Sequence, residues 1–350
     1  MNKKKTYSKI QRFYKSKNSF RPIVAIMSIA FIGLLISQFV SAAANSISIE
    51  LESSSAIVSS PAQRFSDQSA SGGQAIRFGT RNVSTPGIPA QFVGGYLESW
   101  TGVYPSQIDN RYTLLFHAFA TVNGDGSVNM DLWAYNRQQL ANEYKASKAQ
   151  GKPVILSVGG ASGAQAGLTN STQVQNFINS INPLINEFEF SGIDWDLEMN
   201  VPGGISVDGL VSASRQLKNT YGNSFAITMA PFEGMEYPYK DIARQLGNDL
   251  TFVGFQYYNM EQKVNSQNAI ARMEEWMNDA NLRPDQFSIG FWYGPDDWQH
   301  YTVEETQMAS IYQTVKAKYP QVRGTWTWAI AGCDRPRNYA FAANLTNVVY

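Results

Sequence analysis

The 350-residue chain holds one cysteine, Cys333, and two histidines, His117 and His300. A single thiol excludes an intramolecular disulfide, so stability has to come from packing. Neither histidine stands in a Ser/His/Asp or Cys/His pattern, and no Cys and His cluster has metal-ligand spacing. Triad-type nucleophilic chemistry is therefore not expected, and no metal and no cofactor are assigned. No glycine-rich phosphate loop follows the first apolar run, which argues against an open, doubly wound nucleotide-binding sheet. Acidic residues are missing from residues 1–44, where eight of the 28 Lys and Arg lie. Beyond residue 44 stand 20 basic against 28 acidic residues, a net of −8. Bulk electrostatics of that sign exclude nucleic acid and anionic lipid as partners.

What is present begins with the basic segment itself. Lys3, Lys4, Lys5, Lys9, Arg12, Lys15, Lys17 and Arg21 precede an apolar run at 23–40, and Ala42-Ala43-Ala44 follows. Basic region, apolar core and small-residue exit read as an export signal over residues 1–44, and hence a secreted protein. The alternative is an uncleaved membrane anchor at 23–40, a run weakened by Ser28, Ser37 and Gln38. Residues 45–90, rich in Ser, Ala, Gln and Gly, read as a flexible linker. Nothing in the sequence sets the oligomeric state.

From about residue 91 to 350 short apolar runs alternate with amphipathic segments. The runs lie at 92–96, 112–120, 153–158, 192–197, 225–230, 252–258, 287–292 and 324–330. Helical spacing is clearest at 172–188, where Val174, Phe177, Ile178, Ile181, Leu184, Ile185 and Phe188 form one stripe that Pro183 threatens to kink. Similar stripes occupy 265–280 and 303–319. Strands alternating with helices imply parallel pairing through right-handed crossovers, and eight such units over about 255 residues predict a closed (β/α)8 TIM barrel.

The fourth run carries the chemistry. In Phe-Ser-Gly-Ile-Asp-Trp-Asp-Leu-Glu, residues 190–198, Asp194, Asp196 and Glu198 recur at two-residue spacing. On a strand they share one face. Crowded carboxylates on a strand whose other face is apolar cannot all stay ionised, and they are too costly for a purely structural role. In a barrel the strand ends line the active site, so Glu198 belongs at the mouth with Asp196 and Asp194 deeper.

These residues resemble the signature of family 18 glycoside hydrolases, Asp-Gly-x-Asp-x-Asp-x-Glu, met here by Gly192, Asp194, Asp196 and Glu198, with Ser191 in place of the first aspartate. Four further motifs stand in order: Ser157-Val158-Gly159-Gly160, Met229-Ala230-Pro231, Gln256-Tyr257-Tyr258-Asn259 and Gly324-Thr325-Trp326-Thr327-Trp328. The resemblance covers about residues 92–345. It implies cleavage of β-1,4-linked N-acetylglucosamine, as in chitin or chitooligosaccharides, with the substrate's own acetamide as nucleophile and net retention. Cleavage of N-glycan cores or peptidoglycan, and a non-catalytic lectin, are the alternatives. It further implies Glu198 as general acid and base, its proton favoured by neighbouring negative charge, Asp196 as the orienter of the acetamide, Asp194 titrating with Asp196, and Tyr258 as a donor to the acetamide oxygen. Tyr96, Phe119, Met229, Gln256 and Trp328 are implied to line the substrate pocket. Trp100, Trp292, Tyr293 and Trp298 are candidates for outer subsites or for loop packing. Ser191, at the start of the strand, is expected to disturb local hydrogen bonding more than chemistry.

Overall fold

Side-chain alternation along each apolar run sets the architecture. In the computed structural model, which describes residues 87–161, 165–198, 201–292 and 303–350, every run contains a strand. These are β1 (Phe92–Glu98), β2 (Leu114–Val122), β4 (Val154–Gly160), β5 (Gly192–Leu197), β6 (Ala226–Met229), β7 (Phe252–Gln256), β8 (Phe287–Trp292) and β9 (Gly324–Trp328). All eight pair in parallel, in the order β1-β9-β8-β7-β6-β5-β4-β2, and β1 also pairs with β2, which closes the barrel. The short strand β3 (Val128–Met130) adds antiparallel to the end of β2 through the turn at 123–127. The leader and nearly all of the linker expected from the sequence lie outside the described residues.

Helices α1 (Arg137–Ala149), α2 (Ser171–Phe188), α3 (Val207–Tyr221), α4 (Glu236–Leu246), α5 (Ser266–Ala280), α6 (Glu305–Lys318) and α7 (Ala340–Val349) follow β3, β4, β5, β6, β7, β8 and β9 in turn. The connection from β1 to β2 holds only a 3-10 turn, Pro105–Gln107, and α7 packs against both β1 and β9. In α2 the Asn170 side chain caps the helix by accepting from Gln173 N, and all seven residues of the sequence stripe are buried. The helix runs on through Pro183, which sits on its exposed face, where the missing N–H costs least. Among the described residues no helix is long and apolar enough to cross a membrane.

Two cores result. Outward-facing residues such as Ile193, Trp195 and Leu197 pack with the helices. Inward-facing Phe92, Tyr96, Phe116, Phe252 and Trp326 fill the barrel. Trp326 fits because a Cβ at Gly254 would come within 2.5 Å of its Nε1, and one at Gly290 would overlap its ring. The barrel is thus solid below its mouth.

Candidate active site

Asp194 and Asp196 face inward from β5, and Glu198 follows the strand's last residue. Asp194 lies deepest and accepts three hydroxyl hydrogen bonds, from Tyr96 at 2.8 Å, Ser157 at 2.8 Å and Thr228 at 2.7 Å. Ser157 and Thr228 stand level with it on the two neighbouring strands. Burial raises its pKa, and the three hydroxyls oppose the rise. No hydrogen bond joins it to Asp196 among the described residues. Asp196 instead accepts from Gln256 Nε2 at 3.0 Å, and the same nitrogen lies 3.4 Å from Glu198 Oε1 and 2.9 Å from the Ala230 carbonyl. Asn259 Nδ2 donates to Gln256 Oε1 at 2.7 Å, which fixes the Gln256 amide with its donors towards the acids.

Burial holds the Asp196 pKa well above the usual carboxylate range, with the charges of Glu198 and Asp194 adding to the rise. Glu198 is pushed up to about 7, again by burial, against the lowering effect of Gln256. The sequence points to neighbouring charge as what keeps Glu198 protonated, whereas desolvation is the leading cause. Among the described residues no lysine or arginine pairs with any of the three acids. Gln165 braces the site from outside, accepting from Glu198 N at 3.0 Å and donating to the Gly160 carbonyl at 2.5 Å. A Cβ at Gly159, whose φ is +124°, would overlap the Asp196 backbone, so this strand end demands glycine.

Aromatic rings wall the mouth above the acids. Trp328 is half-buried and stacks on Phe119, centroids 5.4 Å apart and planes at 20°. It meets Tyr96 edge-on at 5.5 Å and Trp100 at 6.1 Å. A register shift between Ala118 and Ala120 turns Phe119 inward. Tyr258, half-buried, faces Trp292 at 6.3 Å and Trp326 at 6.1 Å. Burial raises its pKa well above 10, so it stays a neutral hydroxyl donor.

The family model described as "Glycosyl hydrolases family 18" matches residues 93–348. The chain belongs to glycosyl hydrolase family 18. A curated relative, Chitinase ChiA of Flavobacterium johnsoniae, is 31% identical over 215 residues, which are 49% of this chain and 14% of that protein. Chitinase Chi52 of Paenibacillus xylanexedens is 23% identical over 290 residues, 66% of this chain and 55% of its own length. The chain therefore spans about half or less of these relatives. The crystal structure of a family GH18 chitinase from Chromobacterium violaceum superposes with a TM-score of 0.65 at 27% identity, covering 74% of this chain and 83% of that one.

Within this family 18 barrel, most of the residues singled out from the sequence converge on the mouth: Asp194, Asp196, Glu198, Tyr96, Phe119, Gln256, Tyr258 and Trp328. Met229 does not. It is fully buried in the outer core, paired on β6 with Trp195, while its neighbour Thr228 faces in and reaches Asp194. Alternation decides this: Met229 has the parity of the helix-facing residues. Of the outer-subsite candidates, Trp100 is 53% exposed and touches Trp328, and Trp292 is buried beside Tyr258. Tyr293 and Trp298 lie outside the described residues, as does His300. His117 is buried on the helix-facing side, 2.6 Å from Tyr144 Oη, with its pKa lowered to about 4 by burial. Ser157, Thr228, Gln165 and the amide-fixing role of Asn259 were missed. The first two were legible in principle, being inward by parity and level with Asp194.

Proposed function

We propose that this family 18 member is a secreted, retaining glycosidase acting on β-1,4-linked N-acetylglucosamine in chitin or chitooligosaccharides. Its similarity to chitinases supports the substrate class. The observation that carries the reaction is Glu198, half-buried at the strand end and held protonated near neutrality beside Asp196. Glu198 gives its proton to the leaving glycosidic oxygen while the substrate's acetamide oxygen attacks the anomeric carbon, forming a cyclic oxazolinium ion. Asp196 orients the acetamide N–H and balances the positive charge, and Tyr258 donates to the acetamide oxygen. Water then attacks the anomeric carbon, returning its proton to Glu198, and two displacements give net retention. Asp194, saturated by three hydroxyls, anchors the strand face on which Asp196 sits. Trp328 forms the floor for the sugar carrying the acetamide, whose apolar face suits an aromatic ring. Residues 1–44 serve as the export signal and 45–90 as a linker to the catalytic barrel at 91–350.

The test compares release of a fluorophore from a chitobioside by the parent and by Glu198→Gln. A fall of about 10²- to 10⁴-fold in kcat is expected for loss of a general acid. Equal turnover by both proteins would remove Glu198 from the mechanism, and binding without turnover in the parent would make the protein a lectin. Preference for a high-mannose glycoprotein over colloidal chitin would move the substrate to N-glycans.

A further inference from the structure

The mechanism above leaves one buried carboxylate at the mouth unused. Glu98 is the last residue of β1 and is 3% exposed. Its Oε2 accepts from Ala331 N at 3.0 Å and its Oε1 from Gly332 N at 2.8 Å. Among the described residues no lysine or arginine forms an ion pair with it. Two successive backbone N–H groups converging on one carboxylate form an anion-binding nest. A buried acid is retained at such a cost only where its hydrogen bonds are complete. Gly332 is shaped to it, since a Cβ there would stand 2.8 Å from Oε1.

The turn that Glu98 holds, Ile330–Asp334, begins two residues after Trp328. The far end of that turn is fixed separately: Asp334 accepts from Tyr112 Oη at 2.5 Å and from the N–H groups of Phe341 and Ala342 at 2.8 and 3.3 Å, at the start of α7. Glu98 also gathers the neighbouring loop. Its carbonyl accepts from Thr101 Oγ1 at 2.9 Å and from Tyr135 Oη at 3.3 Å, which pins the segment carrying Trp100. Trp100 and Trp328 touch at 6.1 Å, so the residue stands where the two ring-bearing segments meet.

We propose that Glu98 is a positioning residue for glycan binding, which holds the turn after β9 against the end of β1 and so keeps Trp328 and Trp100 together as a preformed sugar-stacking wall. It makes no hydrogen bond to Asp194, Asp196 or Glu198, so its effect falls on binding and leaves the proton transfer alone. This inference rests on the glycan-binding reading of the site.

The experiment measures kcat and KM on a fluorogenic chitooligosaccharide for the parent, Glu98→Gln and Gly332→Ala. Binding of the unlabelled oligosaccharide is followed by tryptophan fluorescence, with each change also placed on Glu198→Gln. The amide introduced by Glu98→Gln offers one acceptor and turns an NH2 towards a backbone N–H, whereas the methyl introduced by Gly332→Ala pushes the intact carboxylate away. Both variants are expected to raise KM and the dissociation constant about five- to tenfold, the scale of one lost buried hydrogen bond, with kcat within about twofold. Unchanged KM and binding in both variants, or a fall in kcat alone, overturns the positioning role. Failure of both variants to melt cooperatively also overturns it, by making Glu98 a folding determinant. If the parent itself neither binds nor cleaves the oligosaccharide, the glycan reading fails and takes this inference with it.

Discussion

Glu198 can donate a proton only while it holds one. Its folded pKa of about 7 comes from burial, so with Glu198 as the proposed acid the basic limb of the rate profile is expected there. We expect kcat/KM to fall as pH rises through about 7, and the limb to move to higher pH in Asn259→Ala. Without Asn259 the Gln256 amide is free to turn its oxygen inward. Glu198 then loses the hydrogen bond that lowers its pKa, which moves further above 4.5. A pH series on both proteins checks this, and an unmoved limb would count against Asn259 as the residue that fixes the amide. Ser191, the departure from the family signature, has the helix-facing parity of Ile193 and Trp195, opposite to the three acids. It is fully buried, its backbone bonds Val154 and Ala226, and its Oγ finds no partner among the described residues.

At the scale of the element, each strand divides its labour by parity. Glycines on β7 and β8 give up side chains so that Trp326 of β9 can cross the barrel. We expect Gly290→Ala to destabilise the fold by about 1–3 kcal/mol, the usual cost of overpacking, and Trp326→Phe placed on it to recover part of that loss in urea denaturation. If the double variant were no more stable than Gly290→Ala alone, the ring would not be what the methyl displaces. The same parity explains what the sequence made legible. Eight strands could be read because β-branched and aromatic runs punctuate the chain, and the acids because two-residue spacing is unambiguous. Met229 was misplaced because a motif match carries no face, only a position. Gln165 and Glu98 were illegible because they bond backbone groups, and no residue pattern announces such a partner. The missing helix between β1 and β2 was illegible too, since α7 at the other end of the chain takes part in covering β1.

For the whole molecule the site has a stability cost that depends on pH. Asp194, Asp196 and Glu198 all have folded pKa values above their unfolded ones. The folded state therefore binds protons more readily, and the contribution of these groups is most favourable below about pH 4 and is lost as pH rises through the folded values. His117 acts in the opposite sense, its lowered pKa withdrawing stability as pH falls from about 6.5 towards 4. From about pH 7 to 8.5 the folded His117 is neutral, while Glu198 titrates through its folded value of about 7. We expect the melting temperature to drop across that window, and to drop less in the Asp196→Asn/Glu198→Gln double variant. Equal slopes in scanning calorimetry would mean that the acids are solvated more freely than their burial implies.

The pairing of β1 with β9 joins residues 92–95 to 324–327. During synthesis the first barrel strand emerges more than 200 residues before this neighbour, so the seam stays open until β9 has left the ribosome. The half-made chain has edges without partners, which invites aggregation. It is also unclosed, and only an unclosed chain can be threaded through a narrow channel. A fold whose β9 fastens its β1 thus postpones its own closure until β9 has been made.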